Sequence, residues 1–267
     1  MRPEGFLCEI FSSFQGEGGS VTGSCMGRRQ VFVRFAGCNL ASGGMGTRGC
    51  VFCDQPNARL KGSRKARLET RPGRHQFGEV DNPLDVRTVL GSVRRLVTPD
   101  LHSVSLTGGE PLYQCDFLHG LASGLRRDGF RTYLETNGSL PSSLSQIAKL
   151  FDFACVDAKD ESAHAASDWG ELLERELESI GILKAAGVAT FCKMVVTSHT
   201  RPANVERVSR GLAELDCPLA IQVVTPRKGV RRPSRELLFA LTQAAAKHLQ
   251  PGGVAISVQT HRLVGLL

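Results

Sequence analysis

The run Ser103-Val104-Ser105-Leu106-Thr107-Gly108-Gly109-Glu110-Pro111 is a short β-rich strand that ends in two glycines, an acid and a proline. Two glycines at a strand end let the backbone pass close to a ligand, although Gly-Gly-Glu-Pro also suits a plain turn. Beyond it, apolar residues recur at three- and four-residue spacing over 117–127. A second strand, 131–135, then closes in Glu135-Thr136-Asn137-Gly138. The same rhythm extends outward in both directions. Strands are predicted at 31–36, 103–106, 131–135, 153–157, 190–196, 220–224 and 254–258. Helical periodicity falls between them, at 84–97, 117–127, 144–150, 171–186, 204–215 and 235–249. Such alternation reads as parallel βαβ units with right-handed crossovers, an α/β fold. Seven units are too few for an eight-fold barrel, so the expected architecture is an incomplete, splayed (β/α) barrel. Polar residues clustered at its strand ends would form a ligand-binding mouth.

One stretch breaks the rhythm. Residues 38–82 are rich in Gly, Arg, Pro and Ser and read as a long loop within a single domain spanning 1–267. Loops of that length in compact domains are usually functional or disordered, and this one holds the densest cysteine spacing in the chain. It also holds a basic run, 59–74, with Arg59, Lys61, Arg64, Lys65, Arg67, Arg71 and Arg74 against Glu69. The run reads either as a solvated loop or as a phosphate or RNA contact.

Composition narrows the class. The 267 residues carry 33 Lys+Arg against 26 Asp+Glu, a net charge of +7 that permits a polyanionic partner without demanding one. With 41% apolar and 22% charged residues the chain is in the ordinary globular range, which argues against intrinsic disorder. No apolar run approaches the roughly 18–20 residues of a membrane span, and residues 1–19 lack the apolar core of a signal peptide. Nine cysteines without a secretion signal point to a reducing, cytoplasmic compartment, where close-set thiols more often bind metal than pair as disulfides.

Cys38, Cys50 and Cys53 form the pattern C-x11-C-x2-C. A structural zinc site would want a fourth protein ligand, and the closest histidine, His75, is 22 residues beyond Cys53. A redox pair normally opens a helix after a strand, whereas the residues after Cys53 suggest a turn. Three clustered thiolates also suit a [4Fe-4S] cluster with one iron left open. On spacing alone, cluster, zinc and redox pair all stay open.

Taken together, the cysteine triplet, Gly108-Gly109-Glu110-Pro111 and Glu135-Thr136-Asn137-Gly138 resemble the radical S-adenosylmethionine superfamily over nearly the whole chain. Four phrases sharpen the likeness to its 7-carboxy-7-deazaguanine synthase branch. They are Glu9-Ile10-Phe11-Ser12-Ser13-Phe14-Gln15-Gly16-Glu17-Gly18, Phe32-Val33-Arg34-Phe35-Ala36-Gly37-Cys38-Asn39-Leu40, Cys53-Asp54 and Val258-Gln259-Thr260-His261-Arg262. The superfamily's common C-x3-C-x2-C is stretched here, as in some members of this branch.

The resemblance implies an incomplete barrel of the radical S-adenosylmethionine type and a reaction on a small pterin. The branch converts 6-carboxy-5,6,7,8-tetrahydropterin to 7-carboxy-7-deazaguanine with loss of ammonia, regenerating S-adenosylmethionine. By motif, Cys38, Cys50 and Cys53 would hold the [4Fe-4S] cluster. Gly109, Glu110, Asp157, Ala158, Lys159, Gln222, Val223, Val224 and Thr225 would contact S-adenosylmethionine. Phe14, Gln15, Gly16, Arg34, Thr107, His261 and the terminal Leu267 would contact substrate. Arg34 would grip the substrate carboxylate with parallel hydrogen bonds, unless it is an ordinary strand arginine in a surface pair. His261 also suits a core histidine. The branch usually has threonine after Cys-Asp, where its hydroxyl helps bind Mg²⁺. Gln55 stands there in this chain, a longer hard-oxygen donor. The resemblance further implies a homodimer and an electron donor such as flavodoxin.

Two other readings compete. One is another radical S-adenosylmethionine enzyme, such as a glycyl-radical activase acting on a protein. The other is a zinc-stabilised RNA-binding protein using residues 59–74, although no aromatic side chain interleaves that run to stack on bases. Gln15-Gly16-Glu17-Gly18 and the Gln259/His261 tail favour the deazaguanine synthase reading.

Overall fold

A computed structural model describes residues 3–60, 62–227 and 229–266. The strands are β1 (Glu4–Gly5), β2 (Leu7–Phe14), β3 (Arg29–Phe35), β4 (Lys65–Glu69), β5 (Phe77–Asp81), β6 (Leu84–Asp85), β7 (Leu101–Gly108), β8 (Thr132–Thr136), β9 (Phe153–Ala158), β10 (Ala189–Val196), β11 (Leu219–Val223) and β12 (Val254–Ser257). The helices are α1 (Val86–Arg95), α2 (Cys115–Arg127), α3 (Pro141–Ser145), α4 (Trp169–Ala185), α5 (Pro202–Glu214), α6 (Arg235–Ala246) and α7 (Thr260–Leu263). Among the described residues no helix is long and apolar enough to cross a membrane.

Ten strands form one sheet in the order β12-β11-β10-β9-β8-β7-β3-β2-β4-β5. The seven from β3 through β12 are mutually parallel, in chain order, and are the seven strands expected from the alternation. The edges β12 and β5 do not pair, so the sheet is a splayed, unclosed barrel. Ends of the helices follow local chemistry. Asp85 caps α1 by accepting from the Thr88 N–H at 2.7 Å, and Asp168 caps α4 by accepting from Glu171 N–H at 3.0 Å. Pro202 occupies the first turn of α5, where its missing N–H costs nothing.

Three strands of this sheet go beyond the sequence expectation, as does the separate two-stranded pair β1–β6. β2 pairs antiparallel with β3, and the hairpin β4–β5 extends the sheet through a parallel β2–β4 contact. Residues 38–82 are therefore not one long loop. Ala66 and Leu68 of the basic run alternate inward onto the core, while Lys65 and Arg67 stay outside. The helix expected at 144–150 is also corrected. It is a short α3 that starts at Pro141, followed by a separate 3₁₀ turn at Ala148–Leu150.

The two faces of the sheet differ in kind. The outward positions of β3 and β7–β11, such as Val33, Leu106, Leu134, Val156, Met194 and Ile221, pack under the helices in the main apolar core. Alternate residues point inward, and the inner face is largely polar. Its lower end is plugged by the loop between β2 and β3, whose Val21 and Cys25 pack against Tyr133, Cys155, Phe191 and Ala220. That loop also reaches the far edge of the sheet, where Gly18 N–H donates to Ser257 Oγ at 3.1 Å.

Phe117 locks α2 onto this frame. It is 2% exposed, meets Phe35 edge-on at 5.9 Å, and sits where any side chain at Gly5 would collide with it. Phe117→Ala is expected to lower stability by about 3–5 kcal/mol, measured as a shift in the urea midpoint without a change in slope.

Candidate active site

The strand ends and the β2–β3 loop surround one open cavity of about 180 Å³. Cys38, Cys50 and Cys53 line it together with Gly109, Asp157, Lys159, Gln222, Val224 and Thr225. Phe14, Gln15, Gly16, Arg34, Gln55, Thr107 and His261 line it too. Positions predicted from widely separated motifs are thus brought to one chamber. Three are not. Ala158 and Val223 occupy the alternate strand positions and do not reach the cavity, and Glu110 lies beneath its wall. Leu267 lies outside the described residues.

Glu110 is fully buried and fully engaged. Its carboxylate accepts from Leu112 N–H at 3.0 Å, Thr136 Oγ1 at 2.8 Å and Asn137 N–H at 2.7 Å. Burial pushes its pKa up to about 7 despite those donors. It ties the end of β7 to the end of β8 and does not present itself to a ligand. Gly108, at φ +115°, makes the turn that precedes it. At Gly109 a Cβ would collide with the carbonyl oxygens of Gly37 and Ala58. Gly109 N–H instead donates to Phe35 O at 3.0 Å, and Glu110 N–H to Gly37 O at 2.8 Å, so the turn is bonded directly to the root of the cysteine loop.

The cysteines sit against apolar neighbours. Leu40, Met45, Phe52, Ala163, Leu172 and Val224 form a small cluster on which Cys38 and Cys50 pack. Burial pushes the Cys50 thiol up to about 11 and raises Cys38 as well. Asn137 Nδ2 points at Cys38 Sγ, 3.8 Å away. Arg227 clamps the loop from the opposite side, donating to Cys53 O at 2.5 Å and Asp54 O at 3.0 Å. Among the described residues no three His, Cys, Asp or Glu side chains converge as donors to a single metal ion. The donor set, three soft thiols on the wall of an open chamber, fits a thiolate-held cluster with a free coordination position.

A chain of alternating charges crosses the chamber, and sequence reading missed the lysine at its centre. Lys193 Nζ lies 2.5 Å from Glu17 Oε2 and 3.6 Å from Asp157 Oδ2, which in turn lies 2.7 Å from Lys159 Nζ. Burial alone would raise Glu17, but the charge and hydrogen bond of Lys193 hold it down at about 2. Burial also works against both lysines, and their carboxylate partners reverse it and raise them. Glu135 goes the other way. It is raised by burial and by the nearby Glu17 charge, while accepting from Gln15 Nε2 and Thr107 Oγ1, both at 2.7 Å. Gln259 joins the ends, donating to Glu17 at 2.8 Å and Asp54 at 2.7 Å and accepting from Thr225 Oγ1 at 2.6 Å. Sequence reading named Asp157 and Lys159 as site residues and quoted Glu17, Asp54, Glu135 and Gln259 within motifs, but it passed over Lys193.

Two buried acceptors in the wall, Asp157 Oδ1 and Gln222 Oε1, find no partner among the described residues. Buried polar atoms are seldom left so, and both belong to residues that line the cavity. At the rim, α7 docks on the β2–β3 loop. Thr260 N–H and Oγ1 both donate to Gly16 O, at 3.0 and 3.1 Å, and a Cβ at Gly16 would strike the His261 ring. Burial lowers the His261 pKa and favours the neutral imidazole.

The chain matches the Radical SAM superfamily model over residues 34–208. It is 42% identical to a 7-carboxy-7-deazaguanine synthase of Thermococcus kodakarensis, covering 98% of each chain. It is 38% identical to one of Methanothermobacter thermautotrophicus, over 97% of each, and 33% identical to one of Geobacter sulfurreducens, over 100% of this chain and 99% of the other. Among solved structures it resembles a radical SAM methyltransferase from Sphaerobacter thermophilus, with TM-score 0.57 and 17% identity over 86% of this chain and 66% of the other, a likeness of fold.

Lys193→Met is expected to leave Glu17 buried without its cation and to cost about 3–5 kcal/mol at pH 8. The sign of the pH dependence follows. In the parent, the pair's contribution is full above about pH 4.5 and is lost as pH falls towards 2. In the variant, Glu17 is raised instead, so the folded state takes up a proton first and the deficit shrinks as pH falls from 8 to 5. Urea melts of both proteins across that range check it.

Proposed function

The chain belongs to the radical S-adenosylmethionine superfamily and, within it, to the 7-carboxy-7-deazaguanine synthase family. From that premise we propose that it is a carbon–nitrogen lyase converting 6-carboxy-5,6,7,8-tetrahydropterin to 7-carboxy-7-deazaguanine with release of ammonia. One observation carries the reading. The cysteine triplet, the Gly108–Gly109 turn, Asp157 with Gln222, and Gln15 with Arg34 all line the same chamber.

Bound there, the cluster and S-adenosylmethionine supply one-electron chemistry at an unactivated C–H bond. The chain's own residues bind, orient and shield. Cys38, Cys50 and Cys53 would be the thiolate ligands, the first two packed on an apolar wall. Gly109, Asp157 and Gln222 would border the cofactor, with Lys159, Val224 and Thr225 completing that side. Arg34 receives the substrate carboxylate on its guanidinium fork. Gln15 and Thr107, both tied to Glu135, present polar atoms to the pterin ring, with Phe14, Gly16 and His261 around it. α7 closes the rim. An external one-electron donor such as flavodoxin and a homodimer are parts of the reading that rest on family membership.

Mg²⁺ is assigned to the Gln55 side of the chamber, with the side-chain carbonyl as its protein donor. Mg²⁺ tolerates little displacement from octahedral geometry, and glutamine is longer than threonine. Gln55→Thr is therefore expected to steepen the response of kcat/KM to Mg²⁺. An identical Mg²⁺ response in the two proteins would remove Gln55 from the metal.

The whole reading is tested by anaerobic iron–sulfur reconstitution and incubation with 6-carboxytetrahydropterin, S-adenosylmethionine and a reductant, followed by mass spectrometry. The expected result is 7-carboxy-7-deazaguanine without matching loss of S-adenosylmethionine. A brown protein that consumes S-adenosylmethionine and leaves the pterin intact would overturn the substrate and favour an activase. A colourless protein holding zinc would overturn the reading altogether.

A further inference from the structure

Three charged residues stand at one level on three adjacent strands. Glu9 on β2 is in register with Arg34 on β3 and with Arg67 on β4. Its Oε1 accepts from Arg34 NH1, and its Oε2 lies 3.6 Å from Arg67 NH1. Both guanidinium groups lie over aromatic rings, Arg34 over Phe11 at 4.9 Å and Arg67 over Phe77 at 4.2 Å. Only Arg34 faces the cavity. Glu9 is nearly buried behind it, and the Arg67 side chain is 52% exposed on the outer hairpin.

The charge count gives the arrangement its meaning. A guanidinium paired one-to-one with a buried carboxylate is neutralised, and has little left for an anionic ligand. Two guanidinium groups against one carboxylate leave one positive charge, and the carboxylate still fixes the fork of the inner one. We propose that Glu9 and Arg67 are positioning residues for the carboxylate of the ligand. Glu9 holds the Arg34 fork in place, and Arg67 offsets the Glu9 charge so that Arg34 stays receptive to an anion. This rests on the reading that the ligand is a carboxylated pterin, and it gives the basic hairpin a part in the reaction that its surface position conceals.

The test is a double-mutant cycle on the cluster-reconstituted protein with S-adenosylmethionine present. It uses Arg67→Met, Glu9→Gln and the combination, with the Kd of 6-carboxytetrahydropterin measured by anaerobic equilibrium dialysis. Arg67→Met is expected to weaken binding about two- to fivefold, the range of a half-exposed charge, with kcat unchanged and the loss shrinking at high salt. Arg67→Lys restores most of the affinity. In the Glu9→Gln background the same Arg67→Met change has almost no effect, because there is no longer a carboxylate to offset. A tetrahydropterin without the carboxylate binds all four proteins alike. An Arg67→Met effect of equal size in both backgrounds, or none in the parent, overturns the inference while leaving the proposed reaction standing. A parent chain that binds neither pterin overturns the proposed reaction and the inference with it.

Discussion

The ion pair between Glu17 and Lys193 is the interaction on which the rest of the chamber depends. A sheet of parallel strands that does not close leaves its inner face open along one side. The loop after β2 fills that side, and the Glu17 carboxylate anchors it to the middle of β10. Each charge is costly to bury alone, and each is tolerable because the other is there. From Lys193 the alternation passes to Asp157 on β9 and Lys159 just after it, and from Glu17 through Gln259 to Asp54 beside Cys53. One continuous network thus sets the position of the loop, two parallel strands and the end of the cysteine segment.

The cysteine segment is held from beneath by backbone alone. Gly109 and Gly37 approach so closely that only glycine fits, and their hydrogen bonds attach the segment to the end of β7. Glu110, which motif reading assigns to a ligand, instead braces β7 against β8 from within the wall. The two acidic residues therefore divide their work. Glu17 is kept ionised inside the chamber by its lysine, whereas burial outweighs the donors to Glu110 and the charge of Lys159 and raises the carboxyl's pKa to about 7.

Much of this was legible in the sequence, for identifiable reasons. The seven parallel strands are buried on the helix-covered face and carry dense β-branched and apolar runs, so periodicity exposes them. β2 escaped because its residues were read as a phrase, and β4 because only Ala66 and Leu68 mark its inner face amid arginines. The cysteines and glycines stood out because spacing and residue type are local signals. Lys193, Asp54 and Glu9 did not, since each acquires meaning only from a partner on another strand or loop. Glu17 and Lys193 are 176 residues apart, and an isolated lysine on an apolar strand carries no sign of its partner. Alternation also explains why whole motifs were too generous, since Ala158 and Val223 point away from the chamber that their neighbours line.

The contact between α7 and Gly16 has a consequence for the order of events in the cell. Most of the fold is built from neighbours in sequence, each strand lying beside the one made before it. The chamber rim is different, because Gly16 is bonded to Thr260, 244 residues later. A chain emerging from the ribosome can stack strand upon strand and form its cysteine loop early. It cannot complete the chamber rim until residues 260–261 have been made. However well stacked, a chain without α7 leaves that side of the cysteine loop unfinished, so this one turn of helix separates a scaffold from a completed reaction vessel.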